Sequence, residues 1–154
     1  MKRDIDIFGE ARELADIYMK NRKFVSDMER IRPSLLSWLE IDTEGYLPPD
    51  YHLAERKMLP KDRRIAAEYI ERRRGKEIVD IAICERLDGR LRDVASDSIR
   101  EGMKGEGVMA KHGISRATLT RIRRKSIEAI SDEMVFQDYK GVSSKYYWND
   151  EKSE

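Results

Sequence analysis

Five cations and three hydroxyls fall within the eleven residues from Ser115 to Lys125. They are Arg116, Arg121, Arg123, Arg124 and Lys125, with Ser115, Thr118 and Thr120. A guanidinium presents N–H donors in a fixed fork, which fits two acceptors on a guanine edge or a pair of phosphate oxygens. Hydroxyl and ammonium groups serve phosphate oxygens without reading sequence. On a helix, Arg116, Thr120, Arg121, Arg124 and Lys125 share the outward side. Arg116, Thr120 and Arg121 are the candidates for base edges, Ser115, Thr118, Arg124 and Lys125 for phosphates, and Arg123 for either. Lys111, with Lys104, adds candidates for backbone contact from the preceding segment. The chemistry that suits this set is non-covalent recognition of duplex DNA.

Such side chains need a rigid element to aim them, and the flanking residues predict one. Gly113 suits the tight corner between two helices because it takes a positive φ at little cost. Ser115 is a good N-cap, its hydroxyl placed to accept from the amide of Ala117 or Thr118. Leu119, Ile122, Ile127 and Ile130 recur at helical spacing, with Ser126 continuing the face, so the side opposite the cations faces a core. Upstream, Glu106 to His112 reads as a short helix with Val108 and Met109 inward, and Ile114 packs under the turn. Two helices joined by a glycine-containing turn, the second one basic, are the sequence form of a helix-turn-helix. A basic helix face is also what a merely solvated helix presents. The coincidence of cap, turn glycine and inward spacing favours the motif.

The run "GISRATLTRIRRKSIEAI" resembles the recognition-helix half of sigma-factor region 4 and of the phage late-transcription regulators related to it, the ArpU-like and RinA-like proteins. The resemblance covers about residues 106–130. It extends weakly upstream to about Leu59, where "LPKDRRIAAEYI" is similar to the Leu-Pro-x-x-x-Arg lead-in of the sigma domain. It implies a phage or prophage transcription regulator that binds double-stranded DNA, with possible RNA polymerase contact. The lack of an apolar membrane or secretory segment points to the cytoplasm.

Charge distribution agrees with a reading head in this region. The 154 residues carry a net charge of only +1. Residues 61–130 hold 18 basic against 12 acidic side chains, while 1–60 hold 10 against 12 and 131–154 hold 3 against 6. Positive charge is gathered around the basic helix, as an electrostatic footprint should be. Charged residues make up 40% of the chain, well above the ordinary ~25%, which favours helices with solvated faces. No stretch of any length is β-patterned, so the expected fold is all-α: several helices, a long N-terminal one, and a C-terminal three-helix helix-turn-helix unit. No apolar run approaches a membrane span, and the N-terminus lacks the apolar segment of a secretory signal. The single cysteine, Cys84, sits among Ile81, Ile83 and Leu87 and reads as a buried small hydrophobe in a reducing setting.

Taken in order, Asp6 to Ile31 reads as one helix with a seam of Leu14, Ile17, Asn21, Phe24, Met28 and Ile31 three and four apart. The seam lies on the chain's own core or zips against a second copy. Pro33 ends the helix, and Ser34 caps a short one through Trp38 and Leu39. Gly45 and Pro48-Pro49 mark a loop, and Tyr51 to Met58 suits another short helix. Asp62 caps the next, with Ile65, Ala66, Tyr69 and Ile70 inward. Arg72, Arg73 and Arg74 close it at Gly75, where cations suit the negative end of the helix dipole. Lys76 to Leu87 is apolar nearly all round and reads as central. Leu91, Val94, Ala95 and Ile99 make the supporting helix of the DNA-binding unit. The domains expected are a helical segment over 1–45 suited to oligomerisation, a DNA-binding domain over 46–135, and an aromatic and acidic tail over 136–154.

Neither His52 nor His112 has a partner at metal-ligand spacing. No nucleophile–base set is legible, and the glycines before Gly113 are spaced wrongly for a phosphate loop. The expectation is a non-enzymatic homodimeric DNA-binding regulator with no cofactor or metal. Two alternatives remain: a phage small terminase subunit, and a helical module that contacts the transcription machinery without touching DNA.

Overall fold

The computed structural model describes residues 6–39 and 60–141. Among these residues there is no strand, and seven α-helices occur: α1 (Ile7–Asp16), α2 (Tyr18–Ile31), α3 (Pro33–Leu39), α4 (Pro60–Arg86), α5 (Gly89–Ala95), α6 (Gly105–His112) and α7 (Arg116–Phe136). A π-helical turn, Ser96–Arg100, continues α5. The fold is all-α. No helix among the described residues is long and apolar enough to cross a membrane. The loop expected around Gly45 and Pro48-Pro49, the short helix at Tyr51 to Met58, His52 and the tail aromatics Tyr146, Tyr147 and Trp148 lie outside the described residues.

The described residues form two compact units, 6–19 with 75–141 and 20–39 with 60–74. In the second, Val25, Met28 and Tyr69 are buried, with Phe24, Leu35, Leu36, Ile65 and Ile70 packed against them. Ile65, Tyr69 and Ile70 thus take the inward positions that their spacing predicts. A buried polar set accompanies this core. Arg72 donates from Nε to Glu68 Oε2 at 2.7 Å and from Nη1 to Asn21 Oδ1 at 3.1 Å. Its guanidinium also lies 5.1 Å from the centre of the Phe24 ring.

Several expectations are corrected here. The long N-terminal helix breaks at Ile17, which has φ −98° and ψ 7° and caps α1. No proline or glycine marks the break; the adjoining Tyr18 is buried and its hydroxyl donates to Asp80 Oδ1 at 2.6 Å. The seam residues Leu14, Ile17, Asn21 and Met28 are buried within this one chain, so they are not an open face for a second copy; Ile31, at the end of the seam, is exposed. Helix α3 begins at Pro33 itself, a residue whose fixed φ suits the first helical position. Likewise α4 begins at Pro60, so Asp62 lies inside the first turn, where its carboxylate pairs with Arg32 at 2.9 Å. Helix α4 does not stop at Gly75. It runs 27 residues through it, because one internal glycine costs only about 1 kcal/mol and packing overrides that. Gly75 is buried.

In the first unit, α4 supplies Ile78, Val79, Ala82 and Ile83, all fully buried. The helix is one-sided rather than apolar all round: Ile81 is exposed. Cys84 is exposed too, since the stripe that buries Ile78, Ala82 and Ile83 turns position 84 outward. Fully buried Ala11 and Leu14 of α1 and Ile130 and Met134 of α7 belong to the same unit. Buried Glu133 accepts from Arg86 Nε at 3.0 Å and from Gln137 Nε2 at 2.6 Å.

Candidate nucleic-acid interface

The turn between α6 and α7 is built from backbone upward. Gly113 adopts the left-handed conformation, φ 61° and ψ 42°. The Ile114 amide donates to the Met109 carbonyl at 3.1 Å, the six-to-one bond of a Schellman ending. Ile114, Val108 and Met109 share one apolar cluster, the hydrophobic contact that accompanies such an ending. Ser115 is extended, and its Oγ accepts from the Thr118 amide at 3.2 Å while donating to Thr118 Oγ1 at 3.1 Å. The cap predicted from sequence is therefore present, and it holds the Ser115 and Thr118 hydroxyls against each other. Beneath the turn, buried Val94, Val108, Leu119 and Ile122 bring α5, α6 and α7 together. Met109 is the partly buried neighbour and Val108 the fully buried one.

Helix α7 divides cleanly by side. Leu119, Ile122, Ser126, Ile127, Ala129, Ile130, Glu133 and Met134 are buried. Arg116, Thr120, Arg121, Arg123, Arg124 and Lys125 are exposed, as is Ser115, and Thr118 is half-buried. Arg116, Arg121 and Lys125 form no ion pair with another described residue. Arg124 lies 3.9 Å from Glu128 with both side chains largely in solvent, a contact worth little. Arg123 is tethered: its Nε donates to Ser98 Oγ at 3.0 Å. Lys111 sits on α6 with its ammonium 2.9 Å from Asp97 Oδ2, and its side chain remains 58% exposed.

The residues that brace this arrangement were not legible from spacing. The expected supporting helix over residues 91–99 closes as α5 at Ala95 and then widens into the π turn, where the Glu101 amide donates to the Ser96 carbonyl at 2.9 Å. The turn presents Asp97 to α6 and Ser98 to α7. Asp97 Oδ2 meets both Lys111 Nζ and, at 2.6 Å, His112 Nε2. Hydrogen bonds from Lys111 and then His112 hold the Asp97 carboxyl below the usual carboxylate range, and the same contact raises the Lys111 ammonium. Arg90 of α5 donates from Nη2 to the His112 carbonyl at 2.7 Å, satisfying one of the free carbonyls at the end of α6. A pair of opposite charges far apart in sequence carries no periodicity, so only the exposed face could be read in advance.

Among the described residues no cluster of three or more His, Cys, Asp or Glu side chains is placed to hold a metal ion. What the arrangement offers chemically is a rigid, cation-bearing helix surface. Comparison with protein-family models, with curated proteins and with solved structures found no match.

Proposed function

We propose that this chain is a sequence-specific regulator of transcription that binds double-stranded DNA by laying the first half of α7 in the major groove. The observation that carries the reading is the division of α7. One side is committed to the core, and the other holds Arg116, Arg121 and Lys125 without an ion pair to a described residue and Arg124 with only a solvent-exposed 3.9 Å approach to Glu128, behind a turn whose geometry is fixed by Gly113 and Ser115. A helix-turn-helix presents the N-terminal residues of its second helix to base edges. Arg116, Thr120 and Arg121 then read bases, and Ser115, Thr118, Arg124 and Lys125 hold phosphates. Arg123 and Lys111 reach the backbone from their tethered positions. The resemblance of residues 106–130 to sigma region 4 and to phage late-transcription regulators supports the same reading. Binding as a homodimer on paired half-sites fits a small single unit, through a surface other than the buried seam.

The test is a fluorescence-anisotropy titration of duplex DNA at several salt concentrations. With about five phosphates neutralised, log K falls against log salt with a slope of about −4 to −5. Arg121→Ala and Arg124→Ala should both weaken binding. Equal affinity of both variants and the wild type across salt refutes the reading.

A contact with a protein such as RNA polymerase has its own support in Val135 and Phe136, 67% and 77% exposed at the end of α7. Replacing both by serine should abolish a polymerase-dependent effect and leave DNA affinity unchanged.

A further inference from the structure

Beside α7 lies a groove of about 770 Å³. Arg12 and Asp16 of α1, Ser98 of the π turn, and Thr120, Arg123 and Arg124 of α7 line it, with Met19 and Ile99 among its apolar residues. Three of these, Thr120, Arg123 and Arg124, are also exposed residues of α7. The groove is therefore continuous with that face rather than a separate cavity.

Its charge is unbalanced. The Arg12 guanidinium stacks on the Phe8 ring, 5.5 Å from its centre, and forms no ion pair with another described residue. Arg123 bonds the neutral Ser98 hydroxyl. Arg124 has only its 3.9 Å approach to Glu128. Three guanidiniums thus line the groove against a single lining carboxylate, Asp16. Cations in excess of counter-charge along a concave surface attract a repeating polyanion, and the field is focused by the low-dielectric walls. Half or more of protein–DNA contacts go to phosphate and sugar. The Met19 and Ile99 side chains suit deoxyribose carbons between phosphates.

We infer that this groove takes one sugar–phosphate strand of the duplex that α7 reads, so that α1, more than a hundred residues away in sequence, is a second part of the DNA interface and Arg12 a phosphate contact. The inference rests on the DNA-binding reading above. Arg12 positions the strand without reading sequence, so its contribution is uniform over DNA sequences.

The experiment is anisotropy titration of the full chain with labelled duplex DNA of random core sequence, from low to moderate salt. Wild type is compared with Arg12→Gln, Asp16→Asn and Arg121→Ala. Losing one phosphate contact reduces the magnitude of the log–log slope by about 0.9 and weakens binding about eightfold at ~0.1 M monovalent salt. Arg12→Gln is expected to show both changes. Asp16→Asn removes the groove's one lining carboxylate and should tighten binding roughly two- to threefold. A folding defect cannot produce that opposite sign. Wild-type slopes and affinities in both groove variants, with Arg121→Ala still weakened, overturn this inference and leave the α7 reading intact. Absence of salt-dependent binding by the wild type overturns both.

Discussion

Gly113 allows a prediction whose magnitude comes from backbone geometry alone. The residue has φ 61°, and a Cβ built on it meets nothing within 4 Å. Gly113→Ala therefore creates no clash, and its effect is purely conformational. An L-residue in the left-handed region costs roughly 1–2 kcal/mol. Alanine recovers about 0.4–1 kcal/mol by restricting the unfolded chain. The net loss is about 1 kcal/mol, or a fall in melting temperature of roughly 2–4 °C for a domain of this size class. Asparagine tolerates the left-handed region better, so Gly113→Asn should lose less. The same change at Gly107 should act in the opposite direction. Gly107 lies within α6, and its added Cβ would make an ordinary 3.5 Å contact with Met103. Gly107→Ala should stabilise by roughly 0.5–1 kcal/mol. Native-state hydrogen exchange of the α6 and α7 amides reads both effects locally, with thermal unfolding by circular dichroism alongside. Equal effects of the two alanines, or a Gly113→Ala variant as stable as wild type, would refute the left-handed turn as the joint between the helices.

Other expectations follow from the braces. Ser115→Ala removes the cap of α7 and should cost about 1 kcal/mol, read as faster amide exchange at Thr118 and in the first turn. Asp97 contributes stability through a carboxyl held below its unfolded value, first by Lys111 and then by His112. That contribution is complete above the unfolded carboxylate pKa of about 3.9 and is lost as pH falls through the folded value. The difference in melting temperature between wild type and Asp97→Asn should accordingly be constant near neutrality and shrink below about pH 4; a difference that stays constant into strong acid would contradict this. Arg72→Ala removes the bonds to buried Glu68 and Asn21, and truncating one side of a buried charge-assisted pair costs roughly 1.5–3 kcal/mol or more. Urea unfolding should show this as a large drop in midpoint, and a drop no larger than that of a surface arginine such as Arg64 would argue against the buried network.

The turn at Gly113 and the helix that follows it were legible because their signals are local. Gly113, the Ser115 cap and the stripe of Leu119, Ile122, Ile127 and Ile130 all act within a few residues, and each takes the predicted place. The misread elements depend on partners distant in sequence. Arg72 to Gly75 look like a helix end by composition, yet Arg72 is consumed by Glu68 and Asn21 and the helix continues. Nothing near Ile17 announces a break. The outward turn of Cys84 follows from which side of α4 meets the core, and a run apolar on most sides does not reveal that. In the candidate interface the exposed cations of α7 could be named from spacing. Asp97, Ser98 and Arg90, which hold the turn and Arg123 in place, could not, since their partners lie 15 to 25 residues away.

Helix α7 has one further property, a mechanical one. Its 21 residues form a single uninterrupted rod, about 30 Å long at 1.5 Å per residue. Arg116 stands at one tip and the exposed Phe136 at the other, and buried residues from Leu119 to Met134 hold the length between them to the core. A tilt of about 5° displaces one tip relative to the other by about 2–3 Å, close to the length of a hydrogen bond. Displacing Phe136 without bending the helix therefore requires the buried stripe from Leu119 to Met134 to shift with it.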